Sequence, residues 1–366
     1  MSDNGSPTEL LVIEMFAGGS HSQLVSFLIS LTPSHILLTL PGTKWHWRAR
    51  CGALQLLPQL REHITRPPCT LFMTSVGSLS ELVSLSPALS QSNKVVYFHE
   101  NQLVYPRQQE QYRDYQYGYN QIMSALMADS VLFNSQYNMS SFLDNVDIFL
   151  NKMPDFKPKG IAEVIRVKSR VLYFPLEFPT NKRTVWNCDI LHIVWPHRWE
   201  HDKNPKDFFK CLEELIDSGY KFMVSVLGNS YEETPHQFDD FKSSHPDVIA
   251  QWGPLPSRDD YLEHLKGADV VVSTATHEFF GVAMLEGVWA GCYPICPNRL
   301  SYPEIYPREC LYNTTSQLTK QLRQLCKHPG LAKQKWDTII GRIDLEKFSS
   351  ERLKAHYCDA LGLKLR

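Results

Sequence analysis

Residues 269–291 read Asp269-Val-Val-Val-Ser-Thr-Ala-Thr-His277-Glu278-Phe-Phe-Gly281-Val-Ala-Met-Leu-Glu286-Gly-Val-Trp-Ala-Gly291. Val270–Ser273 is a short, continuous apolar run, the pattern of a parallel strand covered on both faces. A polar loop follows it, and the apolar segment Val282–Ala290 is long enough for a helix. Strand, loop and helix in that order form the unit from which doubly wound sheets are built.

Outward from this unit the alternation repeats. Strands are predicted at Leu10–Phe16, His35–Leu40, Thr70–Ser75, Lys94–His99, Ser130–Asn134 and Arg170–Phe174, then at Leu191–Trp195, Phe222–Leu227, Val248–Trp252 and Tyr293–Cys296. Helices are predicted at Ser20–Leu31, Gly77–Leu85, Arg113–Ala128, Ser135–Leu150, Pro205–Ser218, Ser257–Lys266, Ser316–Cys326 and Glu346–Leu361. Pro175–Cys188, with two prolines and no clear period, reads as an interdomain linker. The basic stretch Asn151–Lys168 reads as an exposed loop. The fold class is α/β: two Rossmann-like doubly wound domains facing across a cleft, with ligands at the carboxyl ends of the strands.

The chain has 366 residues, enough for two domains, and 43% hydrophobic residues, enough for two cores. A net charge of -2 excludes a globally basic nucleic-acid binder. No stretch approaches the roughly 20 apolar residues that span a bilayer. Residues 1–9 lack a basic leader, and Leu10–Phe16 is interrupted by Glu14. The expectation is a cytosolic or nuclear protein that does not engage a membrane. Nine scattered cysteines fit a reducing compartment. Cys292 and Cys296 lack a matching pair, so no zinc site is expected. The sequons at Asn4, Asn138 and Asn313 read as chance matches.

Four polar clusters follow predicted strands. Gly18-Gly19-Ser20 ends the first, where glycines permit close backbone approach and Ser20 can cap the next helix. It reads equally as a plain turn or as a diphosphate or acceptor contact. His99-Glu100-Asn101-Gln102 ends the fourth, and His99 can bind a sugar hydroxyl or move a proton. Arg198 and Lys203 follow Leu191–Trp195, two cations suited to a departing diphosphate. Glu278 and Glu286 lie eight residues apart. Glu286 sits among apolar residues and needs a partner. Glu278 can bind hydroxyls of a transferred sugar, Glu286 ribose hydroxyls, and the Phe279–Phe280–Gly281 amides a phosphate. Separately, Lys44, Arg48 and Arg50 interleave with Trp45, His46 and Trp47, a pattern for phosphates and unpaired bases. It also reads as core tryptophans with a solvated rim. Lys152, Lys157, Lys159, Arg166, Lys168 and Arg170 form a second basic group.

The E-x7-E spacing with Phe-Gly after the first Glu, the R-x4-K pair, the Gly18-Gly19 turn and His99 resemble retaining glycosyltransferases of family four, with the GT-B fold. That resemblance implies an acceptor-binding domain over residues 1–178 and a nucleotide-sugar domain over 186–345. It also implies a C-terminal helix, 346–366, packing back toward the first domain. Leu40–Arg50, Tyr97–Leu103 and Val194–Lys203 resemble the branch that moves mannose from GDP-mannose to queuosine in the anticodon loop of tRNA-Asp. Glu100, Asn101, Lys44, Trp45, Trp47, Arg48 and Arg50 are then acceptor residues. His99, Glu278, Arg198 and Lys203 are catalytic, and Gly18, Gly19, Phe280, Gly281 and Glu286 hold the donor. The linker is shorter than that branch leads one to expect. GDP-mannose is the co-substrate, and neither metal nor other cofactor is implied. A front-face mechanism is expected, in which the leaving phosphate helps deprotonate the acceptor. Two other readings stand beside it: a glycolipid or glycan acceptor, and a silent binding protein on the same fold. A nicotinamide dehydrogenase is disfavoured because GxGxxG is missing.

Overall fold

The apolar runs at the centre of each sheet become buried parallel strands, because helices on both faces leave their side chains no contact with water, while the outer strands are only partly covered. A computed structural model describes residues 8–105, 114–179, 183, 189–229 and 234–365. It divides into one unit of Met1–Leu176 with Phe348–Arg366 and a second of Glu177–Lys347. The Pro175–Cys188 segment and the start of the Arg113–Ala128 helix lie partly outside the described residues.

In the first unit β1 (Leu10–Ala17), β2 (His35–Pro41), β3 (Thr70–Thr74), β4 (Asn93–Phe98), β5 (Ser130–Phe133) and β6 (Ser169–Val171) form one sheet in the order β2-β1-β3-β4-β5-β6. Every pairing is parallel. The chain steps from β1 to β2 and then crosses back to β3, so the order reverses between β1 and β3. In the second unit β7 (Leu191–Pro196), β8 (Phe222–Leu227), β9 (Ile249–Trp252), β10 (Val270–Val272), β11 (Tyr293–Pro297) and β12 (Leu311–Tyr312) are ordered β12-β11-β10-β7-β8-β9. Here the reversal lies between β7 and β10. Open α/β sheets bind ligands at such points, where loops diverge.

The last helix, Ser350–Leu361, belongs to the first unit. Tyr357 Oη donates to the Tyr173 carbonyl at 3.0 Å, and Thr70 Oγ1 to the Leu361 carbonyl at 2.8 Å.

The structure departs from the sequence reading in several places. Trp45–His63 is a helix of 19 residues with Pro58 inside it. Its core stripe, Ala49, Gly52, Ala53, Leu56 and Leu60, is made largely of small residues, which weakens the amphipathic signal. Within Asn151–Lys168 only the first part is an exposed loop. Ile161–Arg166 is helical and buries Ala162 and Ile165. Gln237–Ser244 and Gly330–Ile340 are further helices, and β12 has only two residues. Among the described residues, no helix is long and apolar enough to cross a membrane.

Candidate active site

In the second unit the loops after β7 and β10 are laced together at the strand-order reversal. The Asp202 carbonyl accepts from the Thr276 and His277 amides at 2.8 and 3.3 Å. Trp195 Nε1 donates to Thr274 Oγ1 at 3.1 Å, and that hydroxyl donates to the Lys203 carbonyl at 2.8 Å. Asn204, with φ 52, turns the chain into the helix Pro205–Asp217 and caps it.

Lys203 is thereby held inside, 7% exposed. Its ammonium donates to the His277 carbonyl at 2.9 Å and Glu278 Oε2 at 3.3 Å, and pairs with Asp202 Oδ2 at 3.1 Å. Two of the lysine's three donors are used in these hydrogen bonds, and Asp202 adds its charge as an ion pair. Burial works against its charge, but Glu278 and Asp202 outweigh that and raise its pKa. Burial likewise opposes ionisation of Glu278 and Asp202, and Lys203 is the main influence that holds both lower. Burial also lowers His197 and His277 to about 4, with the Lys203 charge adding to it, so both are neutral at pH 7.

Arg198 has the opposite environment. Its side chain is 46% exposed and meets Glu200 at 3.2 Å. The cation pair predicted from sequence therefore divides into one buried, ion-paired lysine and one arginine within reach of solvent.

The Phe279 and Phe280 amides, expected to face a phosphate, both point at Glu278 Oε1, at 3.1 and 3.4 Å. The carboxylate occupies the loop's own donors, which corrects that part of the sequence reading. Gly281 opens the helix Val282–Trp289 with φ 92, and an added Cβ would stand 3.2 Å from the Tyr302 ring. Both facts favour glycine.

Glu286 forms a second cluster. Its side chain is 5% exposed and accepts from Arg258 Nη2 at 2.5 Å, and Tyr261 also bonds to it. Burial still dominates and raises its pKa. These are the partners that an embedded carboxylate requires. Arg258 and Tyr261 escaped sequence reasoning because they begin a different helix, Arg258–Lys266, whose first turn is otherwise acidic.

In the first unit His99 follows β4 with 9% exposure, and its Nε2 has no hydrogen-bond partner. Its ring lies 3.9 Å from the His21 ring, tilted 30°. His21 Nδ1 meets Glu14 Oε2 at 2.9 Å. Glu14, His21 and His99 form a group that sequence reasoning missed, because Glu14 reads as an interruption of a strand. Gly19, with φ 54, precedes the helix Ser20–Ser30 as its N-cap. Ser20 is the first helical residue rather than the cap expected of it. Gly18 packs backbone to backbone on Gly42: a Cβ on Gly42 would stand 2.7 Å from Gly18 Cα.

Asn101 is drawn into the fold instead of being presented to a ligand. It is fully buried, and its amide donates to Asn138 Oδ1 and Ser141 Oγ, both at 3.0 Å. Asn138 is itself fully buried, which closes that sequon to glycosylation. Glu100 is half-buried and accepts from Gln102 Nε2 at 3.1 Å.

The helical period separates the Lys44–Arg50 residues. Trp45 packs inward against Tyr117, with ring centroids 5.1 Å apart, whereas Trp47 is 60% exposed. Lys44 adopts φ 56 just before the helix. Arg48 is half-buried and bonds Gln55 at 2.7 Å, and Arg50 lies over the Tyr117 ring at 5.0 Å. The second basic group disperses. Lys168 donates to the Leu126 and Ala128 carbonyls, both at 2.6 Å, Arg166 pairs with Glu163, and Arg170 with Asp359.

Residues 9–176 match the family model described as tRNA-queuosine alpha-mannosyltransferase N-terminal. Over 365 residues the chain is 47% identical to the Drosophila melanogaster protein named tRNA-queuosine alpha-mannosyltransferase, covering 96% of this chain and 95% of that relative. The chain belongs to the tRNA-queuosine alpha-mannosyltransferase family. It is therefore a glycosyltransferase, with the α/β architecture of the GT-B class. Anabaena HepE, solved in complex with UDP-glucose, shares the fold with a TM-score of 0.70 at 11% identity, covering 96% of this chain and 99% of HepE. The lipopolysaccharide outer core galactosyltransferase WaaB shares it with a TM-score of 0.61 at 13% identity, with the same coverage.

Proposed function

We propose that this chain transfers mannose from GDP-mannose to queuosine in the anticodon loop of tRNA-Asp, with retention at the anomeric carbon. The observation that carries this reading is 47% identity over 96% of the chain to a protein named for that transfer.

In this reading Arg198 is the cation that meets the diphosphate, since its side chain is 46% exposed. Lys203 fixes Glu278. Stabilising charge that grows on GDP as the glycosidic bond breaks requires such preorganised donors. Glu278 reads mannose hydroxyls. Glu286 takes the ribose hydroxyls, sharing its oxygens with Arg258 and Tyr261. The Gly18-Gly19 turn and His99 serve the first unit's side of the reaction, with His99 as a neutral hydrogen-bonding group. The exposed Trp47, with Lys44 and the half-buried Arg48 beside it, is the face offered to an anticodon loop. Trp45 and Arg50 brace them through Tyr117. No metal is required, because cationic side chains carry the leaving-group charge, and the protein works in the cytosol or nucleus.

The test is incubation of the purified chain with radiolabelled GDP-mannose and bulk tRNA, with and without queuosine. Label is expected only in queuosine-containing tRNA, and EDTA leaves the rate unchanged. Label appearing in lipid or glycan instead overturns the acceptor assignment.

A further inference from the structure

We propose that the loop between the helices Gln136–Leu150 and Ile161–Arg166 is a second contact for the tRNA, in which Phe156 stacks on an unpaired base outside the reacting nucleotide and Lys157 and Lys159 meet its phosphates. This rests on the tRNA substrate reading above.

Residues 151–160 read Asn-Lys-Met-Pro-Asp-Phe156-Lys157-Pro158-Lys159-Gly160. Phe156 is 97% exposed, more than any other large hydrophobic side chain among the described residues. Its φ is 45°, in the left-handed region. A bulky side chain is disfavoured there, and glycine adopts that conformation without strain. Burial gives this phenylalanine nothing, and its backbone penalises it. Neither packing nor turn geometry asks for the ring. What the ring offers is a flat apolar face held in water, and a nucleic-acid base covers such a face by stacking.

The surrounding charge selects the same partner. The chain as a whole carries a net charge of -2, yet residues 151–160 set three lysines against one carboxylate, Asp155. Lys157 and Lys159 are exposed, and among the described residues neither has an ion pair or a side-chain hydrogen bond. Other cations of this basic group are taken up by the fold: Lys168 by two carbonyls, Arg166 by Glu163 and Asp144, and Arg170 by Asp359. Lys157 and Lys159 stand two residues apart across Pro158, and a residue before proline is held extended. Two extended residues reach at most about 7 Å, the scale on which phosphates follow one another along a strand. Pro154 and Pro158 restrict the loop before binding, which lowers the cost of ordering it.

The loop also continues the face assigned to the anticodon loop. Trp45, near the exposed Trp47, packs on Tyr117 in the helix Tyr115–Met127. In the same helix Tyr115 stacks on Phe149 at 4.5 Å, and Lys152 lies over the Phe149 ring at 5.7 Å. One series of aromatic contacts thus leads from the Trp47 face to the start of the loop. A lipid surface fits less well. Interfacial binding takes an amphipathic apolar face, and within residues 151–160 Phe156 is the one exposed large hydrophobic side chain.

The experiment measures the Kd of the full-length chain for queuosine-containing tRNA by filter binding across a salt series, beside transfer from GDP-mannose and thermal unfolding. Phe156→Gly removes the ring and suits the left-handed φ, so it should unfold near the wild-type temperature. Its Kd should rise about tenfold, within the range for one stacked base, while its KM for GDP-mannose stays at the wild-type value. Phe156→Trp keeps a stacking face and should bind within about twofold of wild type. Lys157→Gln combined with Lys159→Gln should weaken binding and make log Kd less steep in log salt by about 1.4, the change for two single-strand phosphates. A wild-type Kd in Phe156→Gly, or an unchanged salt slope in the double lysine variant, overturns the loop contact alone, provided that the wild-type chain mannosylates queuosine. So does binding to phosphatidylserine vesicles that Phe156→Gly loses while its tRNA affinity stays the same, which makes the loop a lipid contact. Wild-type chain that makes no mannosylated queuosine overturns the substrate reading, and the second contact falls with it.

Discussion

The two switch-point clusters handle charge in opposite ways. In the second unit Lys203 donates to Glu278 and the His277 carbonyl and forms an ion pair with Asp202. In the first unit the imidazoles of His21 and His99 lie together beside one carboxylate, and His99 Nε2 has no partner. The first arrangement is a fixed electrostatic frame that resists change. The second holds His99 neutral, because burial and the neighbouring His21 push it well below the usual histidine range, and a neutral imidazole can both give and take a proton. A leaving group that gains charge needs the former, and an acceptor hydroxyl that loses a proton needs the latter.

The strongest way to break this contrast is Lys203→Ala. It leaves Asp202 and Glu278 as neighbouring buried carboxylates with no cation between them. Breaking such a pair should cost about 3–5 kcal/mol of stability, read by urea unfolding. A Lys203→Ala chain as stable as wild type would mean that the frame is ornamental. Arg198→Ala should separate catalysis from folding. Its exposed pair with Glu200 contributes under about 1 kcal/mol to stability, yet its loss should remove about 2–4 kcal/mol of transition-state stabilisation. That is a fall in kcat/KM of roughly 10²–10³-fold, measured with the unfolding midpoint as control.

A pH titration of stability sharpens the comparison from the second unit's side. His197 and His277 are lowered from 6.5 to about 4 in the folded chain. Between those values the unfolded chain binds protons that the fold refuses. Stability should therefore be highest above about 6.5 and fall toward 4, by on the order of 1–3 kcal/mol for each histidine. In His197→Gln the slope of unfolding free energy over that window should become shallower. An unchanged slope would remove His197 from the account. The smallest effect expected is on the tRNA side: Trp47→Ala should raise the KM for tRNA about tenfold, within the range for one stacked base, and leave the KM for GDP-mannose alone.

Legibility followed the range of the interaction. Val270–Val272 and Leu191–Pro196 could be read because a strand covered on both faces needs an unbroken apolar run. Glu278 and Glu286 could be read because charge inside an apolar segment stands out. The helix Trp45–His63 could not, since small residues form its buried stripe and Pro58 argues against it. The Lys44–Arg50 stretch shows the consequence. Treated as a loop, it presents two equivalent tryptophans. Wound into a helix, it turns Trp45 toward Tyr117 and leaves Trp47 in water.

The sequence by itself determined two doubly wound sheets, the loops that carry chemistry, and the residues in those loops with unusual charge. All of these follow from local period and from the cost of placing polar groups beside apolar runs. Tertiary structure decided who meets whom. It gave Glu278 to Lys203, Glu286 to Arg258 and Tyr261, and Glu14 to His21, and it drew Asn101 into the fold. Each of these decisions depends on strand order, which brings distant loops to one edge of a sheet, and spacing along the chain carries no record of that order.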